Sequence, residues 1–213
     1  MTAAPPCPSD HPRTEARRAQ ILAAAADCFR NHGFHGASIA QISKESGMSA
    51  GHIYHYFENK EAIIAAIVEQ DLLRLLTLTA AFRAESDVLE AMIECATQGV
   101  HDNLDPRTAG LKLEIVAEAS RNPRVAEIVR AADRQCMASL MDTLRALRRT
   151  SAETDDDARE IAATAEVLGA MFEGLLVRCI RNPDLDAERV ARIFQRVIRE
   201  LISPPGAELP RTS

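Results

Sequence analysis

The chain has 213 residues, 46% hydrophobic and 26% charged, the balance of a soluble protein with a real core. Lys and Arg total 25 against 31 Asp and Glu, so the net charge is -6 and overall basicity gives no argument for a nucleic-acid partner. No apolar run approaches the roughly 18 residues of a membrane span, and the Pro-rich stretch Met1–Asp10 lacks the apolar centre of a signal peptide.

These features point to a cytoplasmic protein with no membrane partner. Five cysteines, Cys7, Cys28, Cys95, Cys136 and Cys179, are widely scattered and form no Cys-x-x-Cys pair. They are expected to be small hydrophobes in a reducing compartment rather than a disulfide or zinc framework. Charge is uneven along the chain. The first 60 residues hold six basic and five acidic side chains, and five of the six histidines, so the acidic excess lies downstream.

Residues 1–12, with four prolines, are expected to be a disordered arm. A helix starts near Thr14, with Ile21, Leu22, Ala25 and Phe29 at three- and four-residue spacing, and stops at Gly33. Ser38 opens a capping box with Gln41, and Ile39 and Ile42 give the short helix that follows its buried side. Gly47 ends it by supplying a left-handed residue. Ser49 caps a third helix, Ala50 to about Phe57, with Ile53 and Phe57 inward. Asn59 caps a fourth from Lys60 into the 70s.

Helical periodicity continues through Val88–Ala96, Leu111–Ala119 and Val125–Leu144. An acidic loop, Glu153–Asp157, precedes a helix ending near Ile180. Asn182-Pro183 breaks the chain before a last helix, Val190 to Ile202. The tail 204–213 is expected to be flexible. With no strand alternation, the fold class is all-α, about nine helices. Residues 13–60 form a helix-turn-helix domain, and residues 61–203 a larger helical domain for ligand binding and dimerisation.

The informative stretch is Ile39–Lys60. Two short helices meeting at Ser46-Gly47-Met48-Ser49 make a helix-turn-helix, whose second helix fits a major groove about 12 Å wide. Its outward residues suit that task. His52 and His55 can bond base edges or phosphates. Tyr54 and Tyr56, the chain's only tyrosines, offer neutral phosphate donors. Gly51 lets backbone approach closely, and Ala50 presents a methyl surface for a thymine methyl. Lys60 is a cation in the first turn of a helix, where the macrodipole disfavours it, so a phosphate is expected there. Ser38, at another helix start, can hold a phosphate likewise. Arg13, Arg17 and Arg18 can reach backbone or minor groove.

Residues from about 17 to 64 resemble the DNA-binding domain of the TetR family of bacterial transcriptional regulators. The matching residues are Ile21-Leu22-Ala23-Ala24-Ala25, Phe29, Gly33-Phe34, Ser38-Ile39, Ile42-Ser43, Gly47-Met48-Ser49, Gly51-His52-Ile53-Tyr54-His55-Tyr56-Phe57 and Asn59-Lys60-Glu61-Ala62. The resemblance implies a homodimer on a palindromic double-stranded DNA operator, and repression relieved by a small-molecule inducer of unknown identity. It implies DNA contacts from the residues matching Ser38, Ala50, Gly51, His52, Tyr54, Tyr56 and Lys60. Ala40 departs from the family pattern, where a basic or hydroxyl residue is usual. Ser49 and His55 complete the candidate DNA-binding set.

Other readings compete. Gly47-Met48-Ser49-Ala50-Gly51 fits the nucleophile-elbow pattern, which would make Ser49 the nucleophile of a small all-α esterase. That elbow needs a preceding strand and a later acid and His, which the sequence does not supply. A DNA-binding dimer without an inducer is the second alternative. His52 and His55 lack the further ligands of a metal site, and neither metal nor cofactor is expected. The stretch Val167–Ile180 is apolar nearly all round, so it is expected to meet its twin across a homodimer interface shared with the final helix. Arg189, Arg192, Arg196 and Arg199 then form a solvated face. Glu114 and Glu118 share a face with Leu111 and Ile115, and could neutralise a cationic ligand or pair with Arg121 or Arg124. Met92, Met137, Met141 and Phe172 are the candidate pocket lining, with core packing as the competing fate.

Overall fold

The computed structural model describes residues 10–148 and 154–203. Among them are nine helices and no strand. In chain order these are α1 (Asp10–Gly36), α2 (Ile39–Ser46), α3 (Ala50–Tyr56), α4 (Lys60–Ala84), α5 (Val88–Leu104), α6 (Pro106–Ala119), α7 (Pro123–Arg148), α8 (Asp155–Arg181) and α9 (Ala187–Ile202). Residues 1–9 of the expected arm and the tail 204–213 lie outside the described residues. Residues 10–12 of that arm belong to α1.

Two helix starts are set by caps that the sequence reading missed. Helix α6 begins at Pro106 rather than Leu111. The Asp105 carboxylate accepts from the Thr108 amide at 2.8 Å, and proline fills the first helical position, where no N–H is needed. Asp155, Asp156 and Asp157, expected in a loop, form the first turn of α8; Glu153 lies outside the described residues. Thr154 and Asp157 make a capping box, and three carboxylates suit the positive end of the helix dipole. The Thr154 hydroxyl, and then its amide, hold the Asp157 carboxyl below its ordinary value.

The chain divides into two compact units. The first takes the residues up to Gln70 and adds Glu114–Val129. The second takes Asp71–Leu113 and the residues from Arg130 on. The first unit therefore extends beyond Lys60 and includes the end of α6 and the start of α7. Ile21, Ala25, Phe29, Ile42, Ile53, Ile63 and Val125 are almost wholly excluded from solvent within it. Each large side chain so buried contributes about 1.5–3 kcal/mol of transfer free energy.

The second unit has its own core. Met92, Ile93, Ala96, Leu144, Ile161, Ala165, Leu168, Ile198 and Ile202 form the main cluster, with α5 against both α8 and α9. The Phe172 and Phe194 rings meet at 5.4 Å. Cys28 and Cys179 are buried and Cys95 and Cys136 half-buried, all as free thiols. Burial raises the pKa of each, which keeps them unreactive. No helix of the described residues is long and apolar enough to cross a membrane.

Helix α1 does not simply stop at Gly33; it bends there. Gly33 has φ 69° and ψ 167°, a combination open almost solely to glycine. A Cβ at this position would also lie 3.2 Å from Glu114 Oε1. We expect Gly33→Ala to lower the unfolding free energy by about 1–3 kcal/mol. The check is the urea midpoint; an unchanged midpoint would show that the bend does not require glycine.

Candidate nucleic-acid interface

Local chemistry builds the turn between α2 and α3. Ser38 and Gln41 close the expected capping box, with the Ser38 hydroxyl accepting from the Gln41 amide at 3.2 Å and the Gln41 side chain accepting from the Ser38 amide at 2.7 Å. Gly47 ends α2 at φ 65°. The Ser43 hydroxyl then donates to the Met48 carbonyl across the turn. The Ser49 hydroxyl accepts from the His52 amide at 3.2 Å and starts α3. From α1, the Gln20 side-chain amide donates to the Ser46 carbonyl at 2.7 Å, tying α2's end to the first helix.

Helix α3 has only seven residues, so its orientation comes from burial. Ile53 is fully buried, and Phe57, one turn on, is 4% exposed. Their inward position leaves Ala50, Gly51, His52, Tyr54 and His55 exposed together. Tyr54 is 55% exposed. Tyr56 is half-buried, with its ring 5.3 Å from that of His52 and 5.4 Å from that of His55. Nothing lies within 4 Å of where a Gly51 Cβ would stand. The fold therefore gives no reason for glycine at that position.

Lys60 is not the unpartnered cation that its place in the sequence suggested. Its ammonium donates to the carbonyls of Phe34 at 2.6 Å and Ala37 at 2.9 Å, and lies 4.5 Å from the centre of the Phe34 ring. A cation at the C-terminal end of α1 is electrostatically favourable, and this offsets its position at the start of α4. An ammonium has three donors, so one is left after these two bonds. Arg18 is half-buried, with its guanidinium 5.5 Å from the Phe57 ring centre, whereas Arg13 and Arg17 are exposed. Ser38 is exposed at the start of α2. Ser49 follows a helix, not the strand an esterase elbow needs, and its hydroxyl is used as a cap.

The six candidate ligand residues fall in two different units. Met92 lies in the core of the second unit, where Met137, Met141 and Phe172 pack against the same cluster. Glu114 and Glu118 belong to the first unit and already have partners. Glu114 Oε1 accepts from the Phe34 amide at 2.7 Å, just after the α1 bend. Glu118 is fully buried and accepts from Arg121 at 3.0 Å and Asn122 at 2.9 Å, with His35 Nε2 at 3.1 Å. These carboxylates are structural acceptors, the pairing with Arg121 being the expected competitor of the ligand reading. The role of His35 and Glu114 was invisible in sequence, since they come from helices some 80 residues apart. Among the described residues, no group of three His, Cys, Asp or Glu is placed to hold a metal ion.

Comparison with known proteins bears on this arrangement. Residues 21–67 match the family model of bacterial regulatory proteins of the tetR family, and residues 85–203 match the C-terminal domain of BetI-type transcriptional repressors. The HTH-type transcriptional regulator UidR of Escherichia coli K12 is 32% identical over 200 residues, 91% of this chain and 95% of its own length. The structure of Salmonella enterica GusR superposes with a TM-score of 0.69 at 31% identity, covering 88% of this chain and 93% of that one. A complex of SmeT with triclosan shares the fold, with a TM-score of 0.70 at 24% identity over 92% of this chain and 96% of that one. With both halves matched and a relative 32% identical over nearly the whole chain, this chain belongs to the tetR family of bacterial transcriptional regulators.

Proposed function

We propose that the chain is a cytoplasmic repressor that binds a palindromic operator as a homodimer and leaves it when a small molecule binds the second unit. The exposed face of α3 carries this reading. His52, Tyr54 and His55 offer hydrogen-bonding groups, and Ala50 and Gly51 allow close approach, around a helix short enough to enter a major groove. Ser38, Ser49 and Tyr56 supply hydroxyls beside that face for phosphates, and the third donor of Lys60 can join them. Two such helices related by a twofold axis would read half-sites about one DNA turn, roughly 34 Å, apart.

Dimerisation is supported by apolar surface on the last two helices. Val167, Val177 and Ile180 of α8 and Ile193 and Val197 of α9 are 37–55% exposed. A second copy would cover them. For the inducer, the proposed lining is Met92, Met137, Met141 and Phe172, whose soft side chains can repack around a guest. Release requires that the guest prefer one arrangement of the dimer over the other. Helices α4, α6 and α7 contribute residues to both units, which gives that preference a covalent route to the reading helix.

A dimer without an inducer is the second reading, favoured by the tight packing around Phe172. Its ring would stand 2.9 Å from a Gly99 Cβ, which leaves no ready space. A thermal-shift panel separates the two. An inducer at 100 times its dissociation constant adds about 2.7 kcal/mol and raises the midpoint with dose; a midpoint flat across the panel supports the second reading.

Gly51→Ala tests the interface without harming the fold. Alanine in a helix gains up to about 1 kcal/mol over glycine, so the variant should be at least as stable. Its operator binding should fall by roughly 1–3 kcal/mol, the size of a lost base contact. Undiminished binding would remove α3's first turn from the interface. Lys60→Ala should instead lower stability by about 1–3 kcal/mol, because two carbonyls lose their donor. If Lys60 also holds a phosphate, the salt slope of DNA binding falls by about one; an unchanged slope assigns Lys60 to the fold alone.

A further inference from the structure

Two of the chain's histidines, His52 and His55, stand together on the exposed face of α3. Their ring centres are 6.4 Å apart, and the half-buried Tyr56 ring packs against both, at 5.3 and 5.4 Å. Helix α3 contains no acidic residue. The charged groups around it are Arg18 of α1, set against the Phe57 ring, Lys44 and Glu45 of α2, and Glu58 just after α3, the last three exposed. Lys60 is held by the carbonyls of Phe34 and Ala37. Elsewhere histidines do meet carboxylates: His35 lies 3.1 Å from Glu118, and His101 3.2 Å from Glu188. Among the described residues, no carboxylate pairs with His52 or His55.

Histidine is the side chain type whose charge ordinarily changes between about pH 5 and 8. A neutral imidazole offers one donor and one acceptor, whereas an imidazolium offers two donors. Phosphate oxygens and the guanine edge are acceptors, so a duplex lying on α3 favours the charged ring over the neutral one. In the free protein, two imidazolium rings at 6.4 Å repel each other. Phosphates beside them offset that repulsion. Binding DNA then takes up protons, and by reciprocity added protons tighten the binding. We propose that His52 and His55 are a pH-responsive pair, which strengthens operator binding as pH falls from about 8 to about 6. The pair acts within the reading helix itself, without the second unit or an inducer. The inference rests on the DNA-binding face proposed above.

The test is fluorescence anisotropy of the full chain on a selected operator duplex and on a mixed-sequence duplex, at pH 6 and pH 8 over a range of salt. Circular dichroism verifies the fold of each variant. At about 0.1 M salt, each ring that gains a proton should tighten wild-type binding by up to roughly tenfold, and the salt slope should steepen by about 0.9 per charge. The steepening should appear on both duplexes, because attraction to phosphate ignores sequence. H52Q/H55Q should show the same slope at both pH values, and H35Q should keep the wild-type difference. H52K/H55K, whose charge is fixed, should show at pH 8 the slope that wild type shows at pH 6. Slopes remain comparable where a substitution also costs base contacts. Should H52Q/H55Q bind too weakly to measure, H52Q and H55Q singly must each shrink the difference between the two pH values. Equal slopes at pH 6 and pH 8 in wild type overturn the proposal. So does a difference that survives in H52Q/H55Q or in both single variants, or one that disappears in H35Q. A wild-type chain that binds neither duplex at either pH would instead remove the DNA-binding reading, and the proposal with it.

Discussion

The outward presentation of α3 depends on the burial of two side chains, Ile53 and Phe57. A seven-residue helix has little stability of its own, because nucleation is costly and few bonds repay it. Helix α3 exists because one of its faces is sealed against the first unit. That same burial fixes its rotation, and so decides that His52, Tyr54 and His55 look outward. The residues that hold the helix in place and the residues it exposes are therefore neighbours on one short helix.

The bend at Gly33 shows how the head resolves a conflict between geometry and hydrogen bonding. Turning α1 there frees backbone groups that the helix would otherwise satisfy. Lys60 takes the carbonyls of Phe34 and Ala37, and Glu114 takes the Phe34 amide. Positive charge serves the acceptors and negative charge the donor. Glu118, with no exposed surface, is held by Arg121, Asn122 and His35 nearby. The end of α6 is thus part of the head's own construction, in the same unit as α1 to α3.

What could be read in the sequence was local. Ser38 with Gln41, Gly47, Ser49 and Asn59 each announce a helix start or stop through groups within four residues, and each is found in that role. The three-to-four spacing of apolar residues gave the all-helical class for the same reason. Errors arose where a capping residue was read as a loop, at Asp105-Pro106 and at Asp155–Asp157. Long-range partners were out of reach. Lys60 looked like an unpaired cation because its acceptors lie 23 and 26 residues earlier. The bonds of Glu114 to Phe34 and of Glu118 to His35 were equally out of reach, because nothing in their own helix reveals those partners. Most of α3's exposed set was legible, since burial of Ile53 and Phe57 follows from spacing; Tyr56, read as outward, is half-buried beside His52 and His55.

In the proposed complex the outward face of α3 enters the major groove twice, about a twofold axis. Methylation interference on a selected operator reads it most directly, because dimethyl sulfate modifies guanine N7 on the major-groove edge. The account predicts two symmetric clusters of interfering guanines about one helical turn apart, both lost when Tyr54 and His52 are replaced by alanine. A single cluster, interference confined to the minor groove, or a pattern indifferent to those two residues would contradict it.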